Sequence, residues 1–183
     1  MAEYIIKDET LAKVADAIRE KCHLENTVAA LFETSSEFHI TALPEGITKI
    51  RPYAFALCEN LRLTSLPDGI TEIGECAFVG CSNITLTTIP DSVTYIEAAA
   101  FRKCTGLTSI SISKNVPTIW YNTFDECTNL TTVTFRGTPS SIAASVFGKC
   151  DKLTTINVPW AEGAVDGAPW GATNATINYN YVG

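Results

Sequence analysis

One pattern, I-x₄-F-x₂-C, returns five times at a strict interval of twenty-three residues. It runs through Ile50, Phe55 and Cys58, then Ile73, Phe78 and Cys81, then Ile96, Phe101 and Cys104. Ile119, Phe124 and Cys127 follow, and Ile142, Phe147 and Cys150 close the series. Fifteen aligned residues without an insertion mean that one structural unit is repeated, because a period of about 20–50 residues is the mark of a solenoid, propeller or array. A scaffold of this kind presents a surface, and its period leaves the partner of that surface unnamed.

One unit reads as a closed turn of chain. In Leu107-Thr108-Ser109-Ile110-Ser111-Ile112-Ser113 the isoleucines alternate with serines, so a strand buries one side and shows a hydroxyl-rich other side. The same slots hold Thr41/Leu43, Thr64/Leu66, Thr87/Ile89, Val133/Phe135 and Ile156/Val158, which predicts one parallel sheet of six strands from 41–43 to 156–158. Leu43-Pro44-Glu45-Gly46, Leu66-Pro67-Asp68-Gly69 and Ile89-Pro90-Asp91-Ser92 predict turns with proline second and glycine fourth. The later turns, at Ser113-Lys114-Asn115 and Arg136-Gly137-Thr138, lack that signature and are expected to differ. In Ile96-Glu97-Ala98-Ala99-Ala100-Phe101-Arg102-Lys103-Cys104, Ala100 and Cys104 are four apart, which predicts one or two helical turns on the convex side. The few apolar side chains of one unit do not offset the entropy of ordering it, so stability comes from stacking.

The ends depart from the repeat. Asp8-Glu9-Thr10, followed by Leu11, Val14, Ala15, Ile18 and Cys22, spells an amphipathic helix with a polar start, expected to cover the first edge of the core. Leu31-Phe32 and Phe38 fall on repeat slots, with Ser35 in place of cysteine, as in a degenerate unit. Pro159-Trp160 and Pro169-Trp170 bracket a Gly/Ala-rich region in which both tryptophans are expected to close the core, and Ala175 to Tyr181 alternates like a last edge strand. The fold class is therefore α/β. It is a right-handed solenoid with a parallel sheet, in one domain over 1–183. A helical cap and degenerate repeat occupy 1–37, regular repeats 38–158 and a C-terminal cap 159–183.

A net charge of −7 argues against nucleic acid or an anionic membrane as the main partner. No apolar stretch is long enough to span a bilayer, and the opening residues hold no signal-peptide core. Of the seven cysteines, the five in the repeat are expected to be free, buried thiols, since identical inward side chains on parallel turns rarely present disulfide torsions. No C-x₂-C pair exists and only His23 and His39 offer imidazole, so neither metal nor cofactor is expected. Cys22-His23 is the one Cys–His neighbour pair, and adjacent helical residues point about 100° apart, which removes it as a nucleophile and base. Asp68, Asp91 and Glu45 sit in turns, where turn chemistry accounts for them. The chain is expected not to be an enzyme.

What remains is surface. Thr85 and Thr88, Ser109 and Ser111, Thr132 and Thr134, and Thr155 and Asn157 face outward from the predicted sheet, a nearly uncharged platform. Either β-propensity and solubility account for it, or it is a hydrogen-bonding face for a protein or glycan, centred on Ser109, Ser111, Thr132, Thr134 and Thr155. Trp120 and Tyr121 interrupt a column otherwise held by Arg51-Pro52, Gly74-Glu75, Glu97-Ala98 and Ala143-Ala144. They are the second candidate binding site, aromatics being common anchors of recognition, with packing against a chain terminus as the plain alternative.

The spacing Cys104-x₂-Leu107-x₂-Ile110-x-Ile112, preceded by Val93-x₂-Ile96-x₃-Ala100-Phe101, resembles the bacterial BspA-type leucine-rich repeat over about residues 38–160. The resemblance implies a non-enzymatic adhesion module that binds protein or glycan at a bacterial surface. Two flanks, Thr10 to Lys21 and Val158 to Ala172, are similar to segments of phage and prophage structural proteins. They imply the alternative of a spacer or assembly element in a phage-derived particle, and either reading places the protein outside the cell. The ligand and the oligomeric state stay open at this point.

Overall fold

The computed structural model describes residues 41–43, 46–59 and 61–183. The expected N-terminal helix, the degenerate unit and the turn residues Pro44 and Glu45 lie outside them, as do Cys22, His23 and His39.

The described chain coils into a parallel β-solenoid of about six turns. Each turn has two inward-facing walls. One wall carries the isoleucine that opens the repeat, in β1 (Lys49–Ile50), β2 (Glu72–Ile73) and β3 (Tyr95–Ile96). The other wall begins with β4 (Ser109–Ile112); the first wall resumes in β5 (Thr118–Ile119), and the two alternate through β6 (Thr132–Phe135), β7 (Ser141–Ile142) and β8 (Thr155–Asn157). A last strand, β9 (Thr176–Asn178), adds to the second wall. The strands form three parallel sheets, β1-β2-β3, β5-β7 and β4-β6-β8-β9. Ile50 pairs with Ile73 and Ile73 with Ile96, so the 23-residue interval is the strand register itself.

The single six-stranded sheet expected from the sequence is corrected here. Among the described residues, strands on the second wall start at β4, and an isolated bridge joins Thr88 to Ser111. The reason lies in spacing. Leu63 with Leu66, and Leu86 with Ile89, are the buried pairs of the earlier turns, while Thr64 and Thr87 are exposed. Apolar residues three apart cannot both enter the core from a regular pleat of period two. From Ile110 and Ile112 onward the spacing is two, and a strand results.

The return arc is the second correction. No helix occurs among the described residues. At Ala99 and Lys103 φ is +54° and +61°, conformations that end a right-handed helix. Arc N–H groups instead alternate between tight turns and the next turn of the solenoid. Arg102 N bonds Ala99 O at 3.0 Å and Cys104 N bonds Phe101 O at 3.2 Å, while Phe101 N bonds Thr123 O and Lys103 N bonds Asp125 O, both at 2.9 Å. Every turn thereby satisfies its arc against its neighbour. The proline turns shift by one residue as well: Ile70 N bonds Pro67 O at 3.2 Å and Val93 N bonds Pro90 O at 3.0 Å, so proline stands first rather than second.

The core is a set of stacked columns. Phe55, Phe78, Phe101, Phe124 and Phe147 form one continuous ring stack with centroids 5.3–5.9 Å apart. At its C-terminal end Phe135, Trp160 and Trp170 pack as an aromatic cap, with Phe135 6.4 Å from Phe147 and Trp160 6.2 Å from Trp170. Trp170 is fully buried, its indole N–H donates to Asp166 O at 2.7 Å, and Phe147 N donates to Trp170 O at 3.0 Å. Ion pairs stitch the outside: Arg102 holds Asp125 and Glu126, and Arg136 and Lys114 hold Asp91.

Candidate functional site

The sheet formed by β4, β6, β8 and β9 turns alternate residues out of the core. Two columns result from its register. Ser109, Thr132, Thr155 and Thr176 are paired in one, and Ser111, Thr134, Asn157 and Asn178 in the other. Every member is a hydroxyl or a carboxamide. The structure thus brings together all five sheet-face residues singled out in the sequence, and adds Thr176 and Asn178, whose strand lies 21 residues beyond β8 instead of 23. Thr85 and Thr88 are exposed too, but precede the regular strands.

The columns are not equivalent chemically. Asn178 Nδ2 donates to Asn157 Oδ1 at 2.8 Å, and Asn157 Nδ2 donates to Thr134 Oγ1 at 3.2 Å. This chain buries Asn157 and fixes its amide. The adjoining Thr131 and Thr154 hydroxyls donate to the carbonyls of Thr108 and Thr131, at 2.9 and 3.4 Å. Ser109, Ser111, Thr132 and Thr155 are half-buried, and no side-chain hydrogen bond occupies them among the described residues. An uncharged row of available hydroxyls on a rigid strand array suits a ligand that exchanges several hydrogen bonds at once.

Trp120 and Tyr121 lie elsewhere, just after β5. The structure leaves them 40% and 52% exposed. Two further aromatics accompany them that the sequence reading passed over: Tyr53 at 58% and Tyr95 at 40% exposure. Tyr95 shares a slot with Glu72 and Lys49, and Tyr53 one with Cys76, Ala99 and Asn122. Comparing slots in the way that exposed Trp120 would have found both. Cys76, Glu75 and, more weakly, Tyr121 raise the pKa of the Tyr53 hydroxyl above its usual value.

Cysteine chemistry is confined by burial. Cys58, Cys81, Cys104, Cys127 and Cys150 are free and buried, and Cys76 is free and half-buried. Loss of solvent pushes Cys58 up to about 11 and Cys150 up to about 12. Burial raises Cys81, Cys104 and Cys127 further. Cys76 is raised by burial too, opposed by its hydrogen bond with Tyr53. Thiols so held resist ionisation and make poor nucleophiles. Among the described residues no three His, Cys, Asp or Glu side chains gather as a metal set. Asp91 accepts Lys114 N at 3.2 Å besides its ion pairs, and so serves the turns it joins.

Stacked 23-residue turns with an inward isoleucine–phenylalanine–cysteine signature define a leucine-rich repeat solenoid. The chain belongs to the BspA-type leucine-rich repeat family, whose repeat region matches residues 25–154 in six copies. It is similar to the crystal structure of a leucine-rich repeat protein from Bacteroides ovatus, at 28% identity and a TM-score of 0.55, over 64% of this chain and 31% of that one. The pneumococcal vaccine antigen PcpA shares the fold at 19% identity and a TM-score of 0.60, over 75% of this chain and 35% of the other. A leucine-rich repeat protein from T. pallidum does so at 24% identity and 0.53, over 78% and 68%. The chain thus spans about a third of the first two relatives. No curated protein matches it.

Proposed function

We propose that the chain is a non-enzymatic binding module that holds a protein or glycan ligand on the sheet face of β4, β6, β8 and β9. The observation that carries this is the pair of in-register hydroxyl and carboxamide columns, in which Ser109, Ser111, Thr132 and Thr155 keep hydrogen-bonding capacity to spare. Membership of a repeat family that supplies interaction scaffolds supports the reading, as does an outward face without a charged residue. The proposed setting is extracellular, on a bacterial surface or a phage-derived particle, with neither nucleic acid nor membrane insertion as its business.

The test is retention on a combined protein and glycan array. Lysine at Ser111 and Thr134 together is expected to abolish retention. Because Thr134 also accepts from the buried Asn157 amide, Ser111→Lys alone is expected to do so with melting nearly unchanged, since outward substitutions cost under about 0.5 kcal/mol. Retention that varies little with salt is expected from an uncharged face. If nothing is retained, or the double variant binds as before, the face is not a recognition surface. A protein that then self-associates through dilution would instead be a spacer or assembly element of a phage-derived particle.

A further inference from the structure

We propose that the aromatic flank after β3 and β5 is a second docking surface, which takes an extended basic segment of another protein. It is independent of the sheet-face reading. Trp120 follows Glu97 at an interval of 23 residues, and so lies directly beside it on the next turn, about 4.8 Å away at the backbone. Tyr121 stands in the same way beside Ala98, with Glu75 on Ala98's other side. Ala98 is buried, whereas Pro52 and Ala144 in the same slot are exposed. Glu75 and Tyr121 therefore stand on its two sides, one on each neighbouring turn.

The charge on this surface is what selects the occupant. Among the described residues, the half-buried or buried carboxylates are Glu72, Glu75, Asp91, Glu97, Asp125 and Glu126. Four of them hold a cation: Glu72 pairs with Lys49, Asp91 with Arg136, and Asp125 and Glu126 with Arg102. Glu75 and Glu97 alone in that group pair with no cation among the described residues, and they are the two that flank the exposed aromatics. Glu97 Oε2 accepts the backbone N–H of Glu75 at 2.6 Å, which fixes the carboxylate in place. Lys49 is committed to Glu72, and Arg102 to Asp125 and Glu126. Indole and phenol faces attract cations through their quadrupoles, and a partly desolvated carboxylate strengthens that preference. Arginine or lysine side chains stacked on Trp120 and Tyr121 and paired with Glu97 and Glu75 would use all four groups. Tyr95 and Tyr53 extend the apolar border on either side.

The measurement is fluorescence anisotropy of labelled hexa-arginine and hexalysine peptides at physiological salt, with hexaglutamate as control. Binding of the basic peptides alone is expected. Trp120→Ala, which leaves the charge unaltered, is expected to weaken it by about threefold to thirtyfold. The pair Glu75→Gln and Glu97→Gln should weaken it comparably, while Glu162→Gln with Asp166→Asn, an equal change of charge at exposed residues elsewhere, should not. Equal loss in that remote pair, or undiminished binding in Trp120→Ala, would reduce the effect to general attraction by an acidic protein and overturn the proposal. Loss of a neutral glycan from the array in Trp120→Ala would overturn it in favour of a sugar platform. If the array ligand is lost with Ser111 and Thr134 substituted yet basic peptides never bind, the sheet-face function stands and this one falls.

Discussion

The thiol of Cys104 donates to the carbonyl of Phe78 on the preceding turn, at 3.0 Å and wholly within the core. Cys81 does the same to Phe55 at 2.8 Å, and Cys127 and Cys150 to Phe101 and Phe124, each at 3.1 Å. A cysteine here is a small apolar filler that also donates to a carbonyl, which alanine cannot do. Its protonated form is the one the fold requires.

Alkaline pH should accordingly unfold the protein. Below about 9 each thiol is protonated in both states. Above it the unfolded chain releases a proton that folded Cys58 keeps up to about 11 and Cys150 up to about 12, so rising pH favours the unfolded state. Each buried thiol contributes a loss of about 1.4 kcal/mol per pH unit across that window. Urea titrations at pH 9, 10 and 11 check the slope. The double variant Cys104→Ala, Cys127→Ala, less stable at neutral pH, should show a shallower slope by about 2–3 kcal/mol per unit.

Labelling should separate the cysteines by burial. With Cys22 replaced by serine, native protein treated with iodoacetamide at pH 8 is expected to modify Cys76 alone, and slowly, because its thiol is half-buried and raised. Denaturant should then release Cys58, Cys81, Cys104, Cys127 and Cys150 together. Intact-mass spectrometry reads both steps; a native product carrying more than one label would contradict the burial.

The arc stores strain that glycine would relieve. Leu57, Lys103, Glu126 and Lys149 occupy left-handed conformations with φ of 53–61°, at the slot where Gly80 has +73°. A side chain costs about 1–2 kcal/mol there, partly offset by the extra freedom glycine gives the unfolded chain. Lys149 is well exposed and only 3.8 Å from its ion partner Glu126, a weak contact to lose. Lys149→Gly is expected to raise stability by about 0.5–1 kcal/mol, measured as a urea midpoint shift at constant slope, and Lys149→Val to lower it.

Those same residues explain what the sequence showed and what it concealed. The 23-residue interval made the stacking, the buried phenylalanines and the hydroxyl face legible, because each depends on side chains that recur. The arc was misread because its left-handed positions are filled by Ala99, Lys103 and Glu126, none of which advertises that conformation, and because Ala100 and Cys104 imitate helical spacing. Thr64 and Thr87 misled through alignment with Ile110, when Leu63 and Leu86 one residue earlier were the inward groups. Tyr53 and Tyr95 went unseen for a different reason: each is ordinary alone and informative only beside its slot mates.

Two tryptophans should fail in opposite ways. Trp170 is fully buried against Phe135 and ends the phenylalanine stack through its backbone bond to Phe147. Trp170→Ala is expected to cost about 3–5 kcal/mol and to expose apolar surface at the last turn, seen as a lower melting temperature and concentration-dependent association. Trp120 lies on the outer arc at 40% exposure, and its tie to Thr123 runs through its own carbonyl, which accepts the Thr123 hydroxyl at 2.7 Å. Alanine retains that carbonyl, so Trp120→Ala should melt within about 1 kcal/mol of the parent, while basic-peptide binding falls. The contrast carries the argument: if Trp120→Ala destabilised the protein as severely as Trp170→Ala, its exposed ring would belong to the fold, leaving no cost in stability that a binding role would have to explain.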